Sequence, residues 1–110
     1  MANRYLKVLG QLVPTAATLS TLYTVPSATE TAVANIFVSN NSAVGTTYRI
    51  AVRPAGATID PKHYIYYDQA ISGNTTDNVG GLSLDTTDVI SVYATLGTLA
   101  FSAFGQENDK

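Results

Sequence analysis

The sequence predicts an all-β protein: an antiparallel β-sandwich of about eight strands with Greek-key or jelly-roll-like connections. Apolar and polar residues alternate with period two across residues 36–96, and runs with the period of an amphipathic helix are missing. The segments between these runs are rich in Gly, Pro, Asn, Asp, Ser and Thr, which favour turns. Turn signals spaced by roughly 8–12 residues are typical of sandwiches and barrels.

The first 18 residues differ from the rest of the chain. Residues 5–9 alternate weakly around Lys7, and a Gly-Gln-Leu-Val-Pro segment and a Thr/Ala run follow. This pattern fits an edge strand or an extended arm that lies on a neighbouring molecule, because chain ends are poorly ordered unless they are tied down. We expect residues 1–18 to form an arm or exchanged strand, and deletion of such an arm to leave the sandwich folded.

Seven further strands are predicted from residue 19 onward, each bounded by turn-forming residues. Residues Gly97 and Thr98 predict a tight, strongly paired antiparallel hairpin between the last two strands. The sandwich domain is expected to span residues 19–105 and a flexible polar tail residues 106–110. The predicted strands cover residues 19–25, 31–40, 46–53, 63–71, 75–84, 89–96 and 99–104.

Strict alternation assigns the faces of two strands. In residues 46–53 it points Tyr48, Ile50 and Val52 inward and places Arg49, Ala51 and Arg53 on the outward face. In residues 63–71 it places Tyr64, Tyr66 and Ala70 on one face, and Ile65, Tyr67 and Ile71 on the other.

The composition fits one small domain with a neutral exterior. The chain has 110 residues, 45% of them hydrophobic, which suffices for a packed core. Only 13% are charged, against roughly 25% in ordinary soluble domains, and Ser and Thr replace the missing charge. A hydroxyl-rich surface of this kind approaches another protein with little ion desolvation, which favours assembly.

Several functional classes are disfavoured by what the sequence lacks. The net charge is −2 and the six Lys and Arg residues form no cluster, so no nucleic-acid partner is expected. The sequence shows neither an 18-residue apolar stretch nor a signal-like start, so we expect synthesis in a cytoplasm and no membrane partner. With no cysteine, the protein either has a sufficient core or matures in a reducing cytosol.

No catalytic or metal-binding constellation is recognisable. His63 is the single histidine, and we expect it at the surface or at a hairpin end. Asp77, Asp85 and Asp88 lie in turn sequences, where aspartate is common, and no calcium-loop pattern surrounds them. The expectation is a protein that is not an enzyme and has no cofactor or metal.

Contact with other proteins is therefore the expected role of the surface. Tyrosine, arginine and apolar residues are enriched at protein interfaces. The tyrosines of residues 63–71, with Tyr48 and Tyr93, also suit a platform for a glycan or a partner protein, or simple cross-strand packing. The interface candidates are Tyr5, Leu6, Val8, Leu12, Arg49, Arg53, Tyr64 and Tyr66.

Residues 19–29, 36–42, 47–56, 63–68 and 88–94 resemble small β-sandwich virion proteins of tailed bacteriophages, particularly those of marine and cyanobacterial phages. The resemblance covers about residues 9 to 105 and is a pattern of strands and turns without a catalytic signature.

The resemblance implies a structural part of a phage particle, made in the host bacterial cytoplasm. It favours a capsid cement or decoration protein that bridges shell subunits, with the major capsid protein or other virion proteins as partners. A homo-oligomer, trimer or dimer, on a local symmetry axis is expected. Two alternatives stay open: a component of the tail, neck or fibre, and a module that binds glycans or the host surface.

Overall fold

The computed structural model describes residues 3–110, which form eight β-strands and two short 3-10 turns. Strands lie where the period-two pattern predicts them, and the first strand lies within the segment expected to be an arm. The 3-10 turns, Pro54–Gly56 and Pro61–His63, both lie between β4 and β5. The strands are β1 (Arg4–Leu12), β2 (Ser20–Thr24), β3 (Thr29–Asn40), β4 (Thr46–Arg53), β5 (Tyr64–Ile71), β6 (Thr76–Leu84), β7 (Val89–Ala94) and β8 (Leu99–Asp109).

The strands form two antiparallel sheets of four, ordered β1-β8-β3-β6 and β2-β7-β4-β5. This strand order is that of a jelly roll, and the predicted sandwich is confirmed. Among the eight strands, only β4 and β5 are both consecutive and paired, so the other connections cross from one sheet to the other.

The predicted hairpin at Gly97 and Thr98 is wrong. Strand β7 is central in the second sheet and β8 is central in the first, so each already has two neighbours. The segment between them crosses between the sheets, and the Asn41 N–H donates to the Thr98 carbonyl at 3.0 Å on the far side.

The core lies between the sheets and confirms the inward positions of Tyr48 and Ile50. Val52 is only partly buried, although it packs against the core. Ala51 is fully buried on the outward side of β4, where it pairs with the buried Ser91. The largest fully buried side chains come from both sheets, and include Ile36, Val38, Tyr48, Ile50, Ile90, Val92, Leu99 and Phe101.

The structure departs from the predicted arm and tail at both ends of the chain. Strand β1 pairs with β8 from Arg4 to Leu12, with one bulge at Leu9, and its Leu9 and Leu12 pack against the core. The polar residues 106–109 continue β8, because β1 and β3 hydrogen-bond to them from either side. The sandwich therefore extends from Arg4 to Asp109.

A buried polar cluster fastens β1 to the rest of the sandwich. The Tyr23 hydroxyl donates to Glu107 Oε2 at 2.5 Å and lies 2.8 Å from Thr31 Oγ1. Lys7 Nζ donates to Glu107 Oε1 at 3.3 Å. These four residues, the Glu107 cluster, join β1, β2, β3 and β8. Burial, together with the bond to the carboxylate, raises the pKa of Tyr23 above its ordinary value.

Strand β5 has two bulges, and they overturn its predicted faces. Tyr48 pairs with Gln69, Ile50 with Tyr66 and Ala51 with Tyr64, so β5 holds one extra residue in each interval. Asp68 takes a left-handed backbone conformation, φ 51°, within the longer interval. Each extra residue reverses the side-chain alternation, which leaves Ile65 and Tyr67 exposed.

Candidate interaction surfaces

The predicted interface residues of β1 divide between its two faces. Leu6 and Val8 pair with Gln106 and Phe104 on the outer face of the first sheet, where they are 84% and 47% exposed. Leu12 faces inward and packs against the core. Tyr5 pairs with Glu107 on the inner side of the sheet, at its rim, and is 48% exposed. Only Leu6 and Val8 thus form a common outer surface.

These two side chains belong to an apolar patch on the outer face of the first sheet. We call Leu6, Val8, Ala34 and Phe104 the Leu6 patch; with Lys7 and Gly105 they line a shallow groove of about 470 Å³. Phe104 is fixed by an edge-on contact with Phe37, at 5.8 Å between ring centroids. An exposed leucine held in a regular strand beside further apolar side chains is suited to contact with another protein.

Arg49 lies on the opposite outer face of the molecule and is already held within the chain. Its guanidinium carbon lies 4.1 Å from the Tyr67 ring centroid and 4.3 Å from that of Tyr93. The Nε–H group donates to Asp68 Oδ1 at 2.6 Å. This bond raises the pKa of Arg49 above its ordinary value. We call these four residues the Arg49 stack, and its effect is to fix an exposed aromatic ring.

Arg53, the second predicted arginine, is also engaged within its own chain. Its Nε–H donates to Ser91 Oγ at 3.1 Å, and its Nη1 donates to the Ala57 carbonyl at 3.0 Å. The side chain therefore ties the segment after β4 to the middle of the sheet. Both arginines therefore make contacts within the chain that fix the positions of their side chains.

Tyr64 and Tyr66 do not share a face, contrary to the prediction. Tyr66 faces inward, packs against the core and stacks on Tyr48 at 6.1 Å. Tyr64 faces outward and meets Tyr67 at 5.0 Å, with the rings nearly perpendicular. The exposed tyrosine pair is therefore Tyr64 with Tyr67, since the bulge at Ile65 turns Tyr66 into the core.

The histidine and the aspartates have local roles in turns. His63 is buried, and its Nδ1 accepts the Asp60 N–H at 3.0 Å, so the expected surface position is wrong. Asp88 accepts the Ala55 and Asp85 N–H groups, and Asp85 pairs with Lys110. Within residues 3–110, no group of three or more His, Cys, Asp or Glu side chains is placed to hold a metal ion.

Sequence reasoning did not identify Asp68 and Phe104 as surface-building residues, and it did not separate the exposed Tyr67 from the tyrosines that face the core. Strict alternation assigned Tyr67 to the face of Ile71, which is buried. The signal that would have found it is Asp68, because aspartate tolerates the left-handed conformation that a bulge requires. Phe104 has no such signal, since its partner Val8 comes from the segment that was expected to be an arm.

In the described part of the chain, no helix is both long and apolar enough to cross a membrane.

No protein-family model and no curated protein matches the sequence. Among solved structures, the protein is similar to a chain in the structure of the infectious bursal disease virus Gx strain, with 15% identity and a TM-score of 0.47. The match covers 98% of this chain and 31% of that chain, so this protein spans under one third of the viral chain's length.

Proposed function

We propose that this chain is a non-enzymatic structural protein of a tailed-phage particle, in particular a capsid cement or decoration protein. The observation that carries the proposal is the Leu6 patch, an exposed apolar surface on a β-sandwich, in a chain of which only 13% of the residues are charged. His63 and Asp88 are residue types that often act as general acids or bases, but here each accepts backbone N–H groups within turns. This arrangement supports a role that involves no catalysis.

The patch supplies binding free energy at low desolvation cost. Full burial of a leucine side chain stabilises by about 1.5–3 kcal/mol relative to exposure, and Leu6 is almost fully exposed in the single chain. Val8 and Ala34 beside it carry no charge that a partner would have to desolvate. A virion protein such as the major capsid protein is the partner that we propose for this surface.

Bridging requires a second contact surface, and the two sheets provide opposite outer faces. The Leu6 patch lies on the first sheet, and the Arg49 stack and Tyr64 lie on the second. A protein that contacts one subunit through each face links the two, and such bivalent contact raises the free energy needed to separate them. Copies in closed symmetry, as trimers or dimers, are part of the proposal.

The test compares Leu6→Asp with the matched control Gln11→Asp in binding to particles that lack this protein. Gln11 is exposed on the same outer face of β1 but does not line the groove of the Leu6 patch. Both variants are expected to unfold at the same temperature as the parent. Leu6→Asp should lose at least about tenfold in affinity, since contact would bury an unpaired carboxylate. Unchanged binding of Leu6→Asp would contradict the proposed surface.

Imaging of purified virions separates the proposed role from its alternative. A decoration protein is expected in hundreds of copies over the shell, and a tail, neck or fibre component in tens at one vertex. Absence of the polypeptide from mature particles would refute both.

A further inference from the structure

A cavity on the second sheet lies apart from the Leu6 patch. It has a volume of about 500 Å³ and is lined by Ile59, Asp60, Pro61, Tyr64 and Tyr67; we call it the Tyr64 cavity. This volume falls in the range of small-ligand sites, which combine apolar and aromatic walls with a few polar groups.

The aromatic wall of the cavity is held in place before any ligand arrives. The Tyr64 and Tyr67 rings meet at 86°, with 5.0 Å between their centroids. Although Tyr67 is 59% exposed, its ring lies against the Arg49 guanidinium, whose Nε–H donates a hydrogen bond to Asp68. A ring that is both exposed and fixed loses little conformational entropy when a ligand packs on it.

The opposite wall is a turn that is fixed by reciprocal hydrogen bonds. The Lys62 N–H donates to Asp60 Oδ1 at 3.3 Å, and the Asp60 N–H donates to His63 Nδ1 at 3.0 Å. Pro61 restricts the backbone between these bonds. The Asp60 carboxylate, with two oxygens that each have more than one lone pair, is thereby set at the cavity wall as a hydrogen-bond acceptor.

We propose that the Tyr64 cavity binds a neutral carbohydrate of one or two sugar rings. Sugar rings present C–H groups that pack on the electron-rich faces of aromatic rings, and hydroxyl groups that donate to a carboxylate. Charges around the cavity balance, because Asp60 is followed by Lys62 and Asp68 is paired with Arg49. A neutral ligand therefore suits it better than an anion or a quaternary ammonium ion.

The experiment titrates the ¹⁵N-labelled full chain with maltose, lactose, mannobiose and chitobiose, and follows amide shifts by NMR. We expect at least one disaccharide to give saturable shifts centred on Ile59, Tyr64 and Tyr67. Choline and a proline-rich decapeptide are the competing probes, since aromatic sites also bind cations and polyproline segments. The proposal is overturned if none of the four sugars saturates, or if only choline or the peptide does.

Variants locate the binding. Tyr67→Ala should weaken the sugar affinity at least about tenfold, whereas Tyr5→Ala, a half-exposed tyrosine on the other sheet, should leave it unchanged. Because Tyr67 also packs on Arg49, Asp60→Asn serves as the second variant: asparagine keeps the turn's acceptor but removes the carboxylate, and a several-fold loss is expected. Parent-like affinity in either variant overturns the proposal. The outcome is independent of particle binding through the Leu6 patch.

Discussion

The Glu107 cluster gives the sharpest test of how the sandwich is held together. In Tyr23→Phe, the buried Glu107 loses a 2.5 Å donor and Thr31 loses a 2.8 Å partner, while the ring remains in place. Hydrogen bonds to charged groups contribute about 1.5–3 kcal/mol, and those between neutral groups about 0.5–1.5 kcal/mol. Since Glu107 keeps Lys7 at 3.3 Å, we expect a net loss of about 2–3 kcal/mol in the free energy of unfolding.

The assay is urea unfolding followed by circular dichroism, together with thermal unfolding. For a domain of this size, the expected loss corresponds to a fall in Tm of roughly 10 °C. The matched control is Tyr5→Phe, because Tyr5 pairs with Glu107 across the sheet but is half-exposed; a change below about 0.5 kcal/mol is expected there. If Tyr23→Phe is as stable as this control, the cluster does not stabilise the fold as described.

Three further predictions address the ionisation of two buried tyrosines, the first strand and the core. Burial raises the pKa of both Tyr23 and Tyr48. The free energy of unfolding should therefore be highest below about pH 10, where the phenols of the unfolded chain are also protonated. Above that pH it should fall by up to about 1.4 kcal/mol per pH unit for each tyrosine. Urea titrations from pH 9 to 11.5 measure this slope, and a Tyr23→Phe/Tyr48→Phe double variant with the parent's slope would contradict the assignment. Deletion of residues 1–12 should abolish cooperative unfolding, because it removes a whole strand, the core contacts of Leu9 and Leu12, and the Lys7 partner of Glu107. A truncated chain that still unfolds cooperatively would show that β1 is a dispensable arm. Ile50→Asp should prevent folding, since it places an unpaired carboxylate at a fully buried position. The control Ile50→Val should lower the free energy of unfolding by only about 0.5–1.5 kcal/mol. Soluble, folded Ile50→Asp protein would disprove the inward orientation of residue 50.

The positions of the strands were predictable because each one is half-buried and follows the simple period of two. Residues 46–53 show this best: the assigned interior positions Tyr48 and Ile50 are buried. The pairing of strands was not predictable from local signals. Gly97 and Thr98 have the composition of a hairpin turn, yet they connect strands in different sheets, because β7 and β8 each already pair with strands distant in sequence.

The candidate site was less predictable than the fold, because a face assignment fails at each bulge. One extra residue at Ile65 and another next to Asp68 reverse the alternation twice within β5, which turns Tyr66 towards the core and exposes Tyr67. The position of the single histidine was equally hard to predict, because a polar side chain without a visible partner is expected at the surface. His63 is buried because its Nδ1 satisfies a backbone N–H of its own turn, a bond that composition does not reveal.

The pairing of β1 with β8 has a practical consequence for labelling. The Asp109 N–H donates to the Asn3 carbonyl at 2.9 Å, so both ends of the described chain meet at one corner of the molecule. Leu6 lies three residues from Asn3, a distance of about 10 Å along a strand. A tag or fluorescent fusion at either end would therefore crowd the same apolar surface and mimic a loss of docking. An insertion after Asn41 avoids this, because that loop lies at the opposite end of β3, beside Leu99.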